Sequence, residues 1–325
     1  MKFLLLFLLT PAMVIAADQG FRFNQGKCIS AAGATGLNPD FVGECGNLVG
    51  KDLTHVSLVS LNLRGADLTN AGLAGTDLTA TDLGGAKLDG ANLSQATLTN
   101  TVLLSASLKG VNLSNAKITN AIFRDADLTK GTLTSAVFRN VDLQAAVFTG
   151  AKMDGITLTE SDLTGASIDN AVLTSAFVDN CILIQANLSN SDVSNTHLNG
   201  NDQREANYTG THGTGTTFGG SRFYEATFTN AKLIGAQFDE TDLFATTLAG
   251  ADFTGADFSD SDLRDAEAGT TNFTGADFSG SDLRELEANT ANFTNATLTS
   301  ALFDEGTTLP FSKDDATKRG MEFVQ

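Results

Sequence analysis

The chain of 325 residues has no tryptophan, 2 tyrosines, and only 3 prolines, 3 histidines and 3 cysteines. Each shortage excludes something. Few histidines leave few ways to build a general base or a metal centre, because imidazole is the commonest group in both. Three cysteines allow at most one disulfide within the chain, so a disulfide-stapled scaffold is ruled out. Basic residues are also scarce, 20 Lys and Arg against 38 Asp and Glu, for a net charge of −18. That balance disfavours nucleic acid or an anionic membrane as a direct partner. Crossing a membrane takes about 20 consecutive apolar residues, and no run of that length occurs. What is present is 42% apolar residues and 32 glycines, a composition of folded proteins and not of disordered ones. Length alone would suit two ordinary domains or one large one.

Residues 1–17 have the form of a secretory signal: Lys2, an apolar run from Phe3 to Leu9, Pro11, then Val14-Ile15-Ala16 before Ala17. This predicts cleavage near Ala16/Ala17 and a secreted or periplasmic protein with no membrane attachment after cleavage. Losing Lys2 takes the net charge from −18 to −19. Cys28 and Cys45 lie in the stretch before the repeat begins and are a candidate disulfide; two free thiols are the alternative. Cys181, deep inside the repeat, reads as an inert buried thiol.

From Leu53 to Phe303, every fifth residue is Leu, Ile, Val, Met, Phe or Tyr at 47 of 51 positions, the exceptions being Gln203, Gly213, Ala268 and Ala288. No insertion or deletion shifts this register. The residue two before each centre is small in 46 of 51 units, and Ala alone fills 27. The residue just before the centre is Asp or Asn in 22 of 51, and Gly, Asn or another polar residue commonly closes the unit. A period of five matches neither the helix repeat of about 3.6 nor the strand repeat of about 2, so the chain must turn at regular intervals.

The stretches Ala66-Asp67-Leu68-Thr69-Asn70, Ala91-Asn92-Leu93-Ser94-Gln95 and Ala256-Asp257-Phe258-Ser259-Asp260 resemble the pentapeptide-repeat family, whose pattern is A-(D/N)-L-x-x. The resemblance implies an all-β fold, a right-handed quadrilateral β-helix with 20 residues per coil. The sequence carries its own mark of that coil length, since residues 251–270 and 271–290 match at 14 of 20 positions. The repeats then make about 13 coils, and at about 4.8 Å per coil a rod roughly 60 Å long. Each centre fills the axis, where burial contributes about 1.5–3 kcal/mol per side chain, and stability accrues by stacking. Frequent Phe centres after Phe218 read as a wider core. The expected organisation is a signal peptide (1–17), an N-terminal cap (18–47), the β-helix (48–305) and a C-terminal cap (306–325). That last cap should contain a short helix with Ser312 as N-cap and Gly320 as its stop.

Residues 20 apart stack into outward columns. Asp242, Asp262 and Asp282 form one, and Arg264 and Arg284 stand two residues away, joined earlier by Arg64, Arg124 and Arg204. Between Asp239 and Glu287 there are 13 acidic and 2 basic residues. Asp242, Asp252, Asp257, Asp262, Asp277 and Asp282 are therefore the candidate acidic interaction patch. A solvated flank is the plainer reading, and a calcium site is disfavoured because a flat ladder does not converge six to eight oxygens. A column that includes Thr54, Ser94, Thr254, Thr274 and Thr294 gives a hydroxyl-rich face. Asn195 to Gly220, with His197, Asp202, Gln203, Arg204, Glu205, His212 and Gly213, is the least regular stretch and reads as a weakly packed coil. No catalytic residue, cofactor or metal site is expected.

The reading favoured is a non-catalytic secreted or periplasmic rod with a structural or protein-interaction role, its partner a protein and its oligomers, if any, joined by ends or caps. The alternative comes from the resemblance: members of the quinolone-resistance group are acidic rods acting on DNA gyrase, which would make this a DNA mimic. A leader peptide and acidity concentrated in the C-terminal third speak against it. Polysaccharide-cleaving β-helices carry long corner loops, which an unbroken register has no residues to make.

Overall fold

A computed structural model describes residues 21–24, 27–30, 47–54 and 56–325. Ahead of the repeat, β1 (Phe21–Asn24) and β2 (Lys27–Ser30) form an antiparallel pair. The leader, most of the expected N-terminal cap and the Cys28–Cys45 pairing lie outside the described residues.

From Asn47 onward the chain is a four-sided parallel β-solenoid. Each coil bonds to the next through residues 20 apart, as in Asp67↔Lys87, Asn92↔Asn112 and Asp142↔Asp162. On one side the pairing widens into a five-stranded parallel sheet: β3 (Thr97–Thr99), β4 (Lys117–Thr119), β5 (Val137–Arg139), β6 (Thr157–Thr159) and β7 (Phe177–Asp179). About 11 turns are stacked on both sides. The expected 13 is slightly high because it includes the terminal turns, which have a neighbour on one side only.

The pentapeptide pattern follows from the backbone's hydrogen-bond accounts. In the unit centred on Leu83, Asp82 N–H donates to Leu61 C=O in the coil before (2.9 Å), and Leu83 and Gly85 N–H donate to Val102 and Leu104 C=O in the coil after (2.7 and 2.8 Å). Ala86 N–H closes the corner onto Leu83 C=O (3.0 Å). One donor of five is left, that of Gly84, and the Asp82 carboxylate accepts it at 2.9 Å. The same bond recurs at Asp67, Asn112, Asp162 and Asp192. Asp and Asn thus precede the centre because a short side-chain acceptor satisfies the single N–H the ladders omit.

Nearly every corner also has a left-handed residue at the fifth position, Thr270 and Thr290 being exceptions. Asn70, Lys130, Ala145 and Glu160 have φ of 56°, 57°, 54° and 55°, alongside glycines such as Gly75 at 65°. Asn and Gly adopt this region most readily, which is why they so often close the unit.

The core is one continuous cluster from Leu48 to Met321. In its second half the rings of Phe218, Phe238, Phe258 and Phe278 stack in a file with centroids 4.7, 5.0 and 5.1 Å apart. The breaks in the apolar register compensate for this volume. Gly213 sits where a Cβ would come within 2.7 Å of Leu233 and Val193 methyls, and Ala268 and Ala288 are fully buried among the rings. At Gln203 the side chain donates to Leu198 C=O (3.3 Å) and accepts from the Tyr208 hydroxyl, with both residues wholly buried. Burial pushes the Tyr208 hydroxyl pKa upward, so the ring stays a neutral donor. The stretch from Asn195 to Gly220 is therefore tightly packed and not the loose coil its composition suggests.

At the C-terminal end, α1 (Lys313–Lys318) follows Ser312, whose hydroxyl accepts from Asp315 N–H (3.1 Å) and donates to the Asp315 carboxylate (2.9 Å). Its Ala316 is buried on the last layer, and Gly320 follows at φ 92°. The chain then returns so that β9 (Glu322–Phe323) pairs in parallel with β8 (Leu302–Phe303). The capping helix stands where the sequence placed it.

Candidate interaction faces

The six candidate aspartates divide among three sides of the rod. Asp242, Asp262 and Asp282 form one ladder, Asp257 and Asp277 belong to the side before it in chain order, and Asp252 to the side before that. Each first serves its own turn, accepting the backbone N–H two residues on: Phe244 (3.1 Å), Thr254 (3.1 Å), Ser259 (2.9 Å), Arg264 (3.1 Å), Ser279 (2.9 Å) and Arg284 (3.2 Å). Their periodicity therefore has a structural cause whatever else they do.

The sides differ in what neutralises the charge. Along the 242–282 ladder, Arg264 grips Asp262 with two nitrogens at 2.9 and 2.6 Å and reaches Asp282 at 3.7 Å; Arg284 grips Asp282 at 2.9 and 2.6 Å. Burial works against the charge on Asp262, yet the hydrogen bonds and field of Arg264 hold its carboxyl below the ordinary range. Arg264 also lies 5.5 Å over the Phe244 ring, which stacks on Tyr224 at 5.6 Å. Earlier on this side Arg64 pairs with Asp82 (3.3 Å), Arg124 with Asp142 (2.9 Å) and Arg204 with Asp202 (2.8 Å). The arginine column is thus an internal counter-charge.

On the adjoining side, Asp239, Asp257 and Asp277 and the corner residue Asp260 have no ion pair among the described residues. The hydroxyl column is explained locally: Thr254, Thr274 and Thr294 each donate a hydroxyl to the turn acceptor two residues back, at 2.5, 2.6 and 2.7 Å. His197 and His212 are exposed on different sides. Among the described residues, no group of three His, Cys, Asp or Glu is placed to hold a metal ion, and no helix is long and apolar enough to cross a membrane. Cys181 is buried, and desolvation pushes its thiol up to about 11, so it is unreactive at neutral pH. An open depression of about 260 Å³ is lined by Cys181, Asn201, Asp202 and Arg222.

The family model described as pentapeptide repeats (8 copies) matches in overlapping segments that together cover residues 47–200, 214–269 and 271–305. The chain belongs to the pentapeptide-repeat family. Its unmatched residues 201–213 run from Asn201 to Gly213 and include the Gln203–Tyr208 pair, where the family pattern gives way to a polar core contact. Among solved pentapeptide-repeat structures, the chain is similar to HetL, involved in heterocyst differentiation regulation in the cyanobacterium Nostoc sp. strain PCC 7120: 27% identity, 78% of this chain, 93% of that one, TM-score 0.40. It is similar also to QnrB1, a plasmid-mediated fluoroquinolone resistance protein, at 20% identity over 60% of this chain and 86% of the other, TM-score 0.34. A third is alr5209 of Nostoc PCC 7120, at 26% identity over 32% and 84%, TM-score 0.31. No curated protein matches the chain.

Proposed function

We propose that this pentapeptide-repeat chain is an exported, non-catalytic rod that docks a protein along its acidic C-terminal third. The observation carrying this reading is the row of carboxylates at Asp239, Asp257, Asp260 and Asp277, which lacks the arginines that neutralise the neighbouring side. Solvated carboxylates without an internal counter-charge suit a partner that brings cations of its own, through steering and register more than raw affinity. Export rests on the leader-like residues 1–17. The gyrase reading is weaker, because the acid is divided among all four sides of one end, Glu267 and Glu287 taking the fourth, and does not run as a continuous strip.

Fractionating the native host tests the proposal. The expected result is a chain beginning near Ala17 in the periplasm or medium, cross-linked to a protein in a manner that Asp257→Lys with Asp277→Lys abolishes. An uncleaved chain starting at Met1 in the cytosol, or cross-links indifferent to those two changes, overturns it.

A further inference from the structure

The side that carries β3–β7 holds two cations which, among the described residues, have no ion pair: Lys117 and Arg139. It holds the unneutralised Asp239 and Asp257 farther along the same columns, since Lys117 stacks through Val137, Phe177 and His197 to Asp257. Between the two charge groups lie the most exposed large apolar side chains of this side, Val137 at 40% and Phe177 at 45%, with the Phe177 ring 6.1 Å from that of His197.

We infer that this side is a self-complementary docking surface and that its occupant is a second copy of the chain, lying antiparallel. The argument is one of register. A two-fold axis crossing the side between the coils of Phe177 and His197 turns the rod end for end and keeps each column over itself. Lys117, three coils before Phe177, then falls opposite Asp257, three coils after His197. Arg139, two coils before Asp179, falls opposite Asp239, two coils after Asn199. The two oppositely charged pairs require the same axis although they sit in different columns, and each pair occurs twice. The same axis puts Phe177 against His197 of the second copy and the corner residue Glu160 against Gly220, so no like charges meet along this side. A slip of one coil one way places Lys117 over Gln237 and Arg139 over Gly219 and loses both pairs; the other way it places Lys117 over Asp277 but Arg139 over Ser259 and Glu160 over Glu240, so one pair is lost and like charges meet. Parallel alignment lays the two acidic ends together and the two basic positions together, with Lys117 over Thr119 and Asp257 over Ser259, and makes no pair of opposite charge. A non-polar centre flanked by complementary charge is the usual build of a reversible protein interface, and isologous contact is the commonest way two identical chains close. The seven coil steps from Lys117 to Asp257 span about 34 Å at about 4.8 Å per step, room for an extended contact.

This inference rests on the docking proposal above and names the partner. Sedimentation of the host-processed chain should give a dimer at tens of micromolar in low salt that dissociates as salt is raised. Lys117→Glu with Arg139→Glu, and separately Asp239→Lys with Asp257→Lys, should each weaken the dimer by about tenfold or more. Mixing the two variants should restore it, because every opposed pair is again of opposite sign. Circular dichroism confirms that both variants fold. In the otherwise unchanged protein, spin labels on Thr297→Cys should lie about 50 Å apart across the antiparallel dimer, eleven coils at about 4.8 Å. A wild-type chain that stays monomeric in low salt, a mixture that does not reassociate, or a short distance between the labels overturns the inference. Those outcomes leave docking of a different protein standing, whereas a cytosolic, uncleaved chain removes the exported role without touching the dimer.

Discussion

The two halves of the rod hold the same backbone with different cores. Before residue 200 the axis is filled mainly by leucine, as at Leu68, Leu88, Leu108 and Leu128; from Phe218 on stacked rings share it with leucines such as Leu243, Leu263 and Leu283. The ladders continue through the change without a shift of register, as Asn187↔Asn207 and Asn207↔Thr227 show. The coil is therefore fixed by its hydrogen bonds and corners, and core volume is adjusted within it. Phenylalanine in two adjoining files is offset by Ala268 and Ala288 in a third, and the space at Gly213 is filled by Leu233 and Val193. Leucine needs no such arrangement, so the first half keeps its apolar period without exception.

The comparison sharpens under substitution. The largest effect is expected from Phe238→Ala, which opens the ring file between Phe218 and Phe258 and should cost about 3–5 kcal/mol; Leu93→Ala in the other half should cost about 2–5. Denaturant midpoints followed by circular dichroism measure both, and a smaller loss at Phe238 than at Leu93 would contradict a tightly filled ring file. Gly213→Leu, which restores the five-residue period in sequence, should destabilise by about 1–3 kcal/mol, since its Cβ alone meets two methyls. A gain in midpoint would show that the glycine marks a void and not a filled space.

Acid should unsettle both halves in the same window. Asp127 and Asp162 in the first half, and Asp262 and Asp304 in the second, are opposed by burial yet held below the ordinary carboxyl value of 3.8 by hydrogen bonds, joined at the first three by nearby cations. Depressed folded values mean stability that is present above 3.8 and lost as pH falls through the lower folded values. Melting should be flat from neutral pH to about 5 and fall below 3.8, and the difference between wild type and Asp262→Ala should shrink over that fall. A difference that persists at the acid end would assign the effect of Asp262 to shape and not charge. The smallest change is a gain: Ala145→Gly at φ 54° should raise the midpoint by about 0.5–1 kcal/mol, relief of left-handed strain exceeding the added chain entropy.

The coil, its inward residues, the helix after Ser312 and the outward columns were legible because a period of five leaves each residue type one place to go. The reason for Asp before the centre was not, since it depends on which N–H the ladders leave over. Nor were the exceptions. Gln203 reads as a flaw until Tyr208, one pentapeptide later, is seen to donate to it, and Gly213 until the Leu233 and Val193 methyls beside it are seen. The acidic patch was legible as composition and as columns, with Arg264 and Arg284 beside one of them. Its division into a clamped ladder at Asp262 and Asp282 and an unclamped row at Asp257 and Asp277 depends on which way Arg264 and Arg284 reach.

The unbroken 20-residue step also governs how such a molecule changes over generations. A duplication of twenty codons, of the kind still visible in residues 251–270 and 271–290, adds one layer and leaves every other side chain on its own side. Any other increment rotates all that follows. Rod length is thus inherited as a whole number, and a lineage adjusts the spacing between its two charge groups, and with it which rods fit one another, by counting layers.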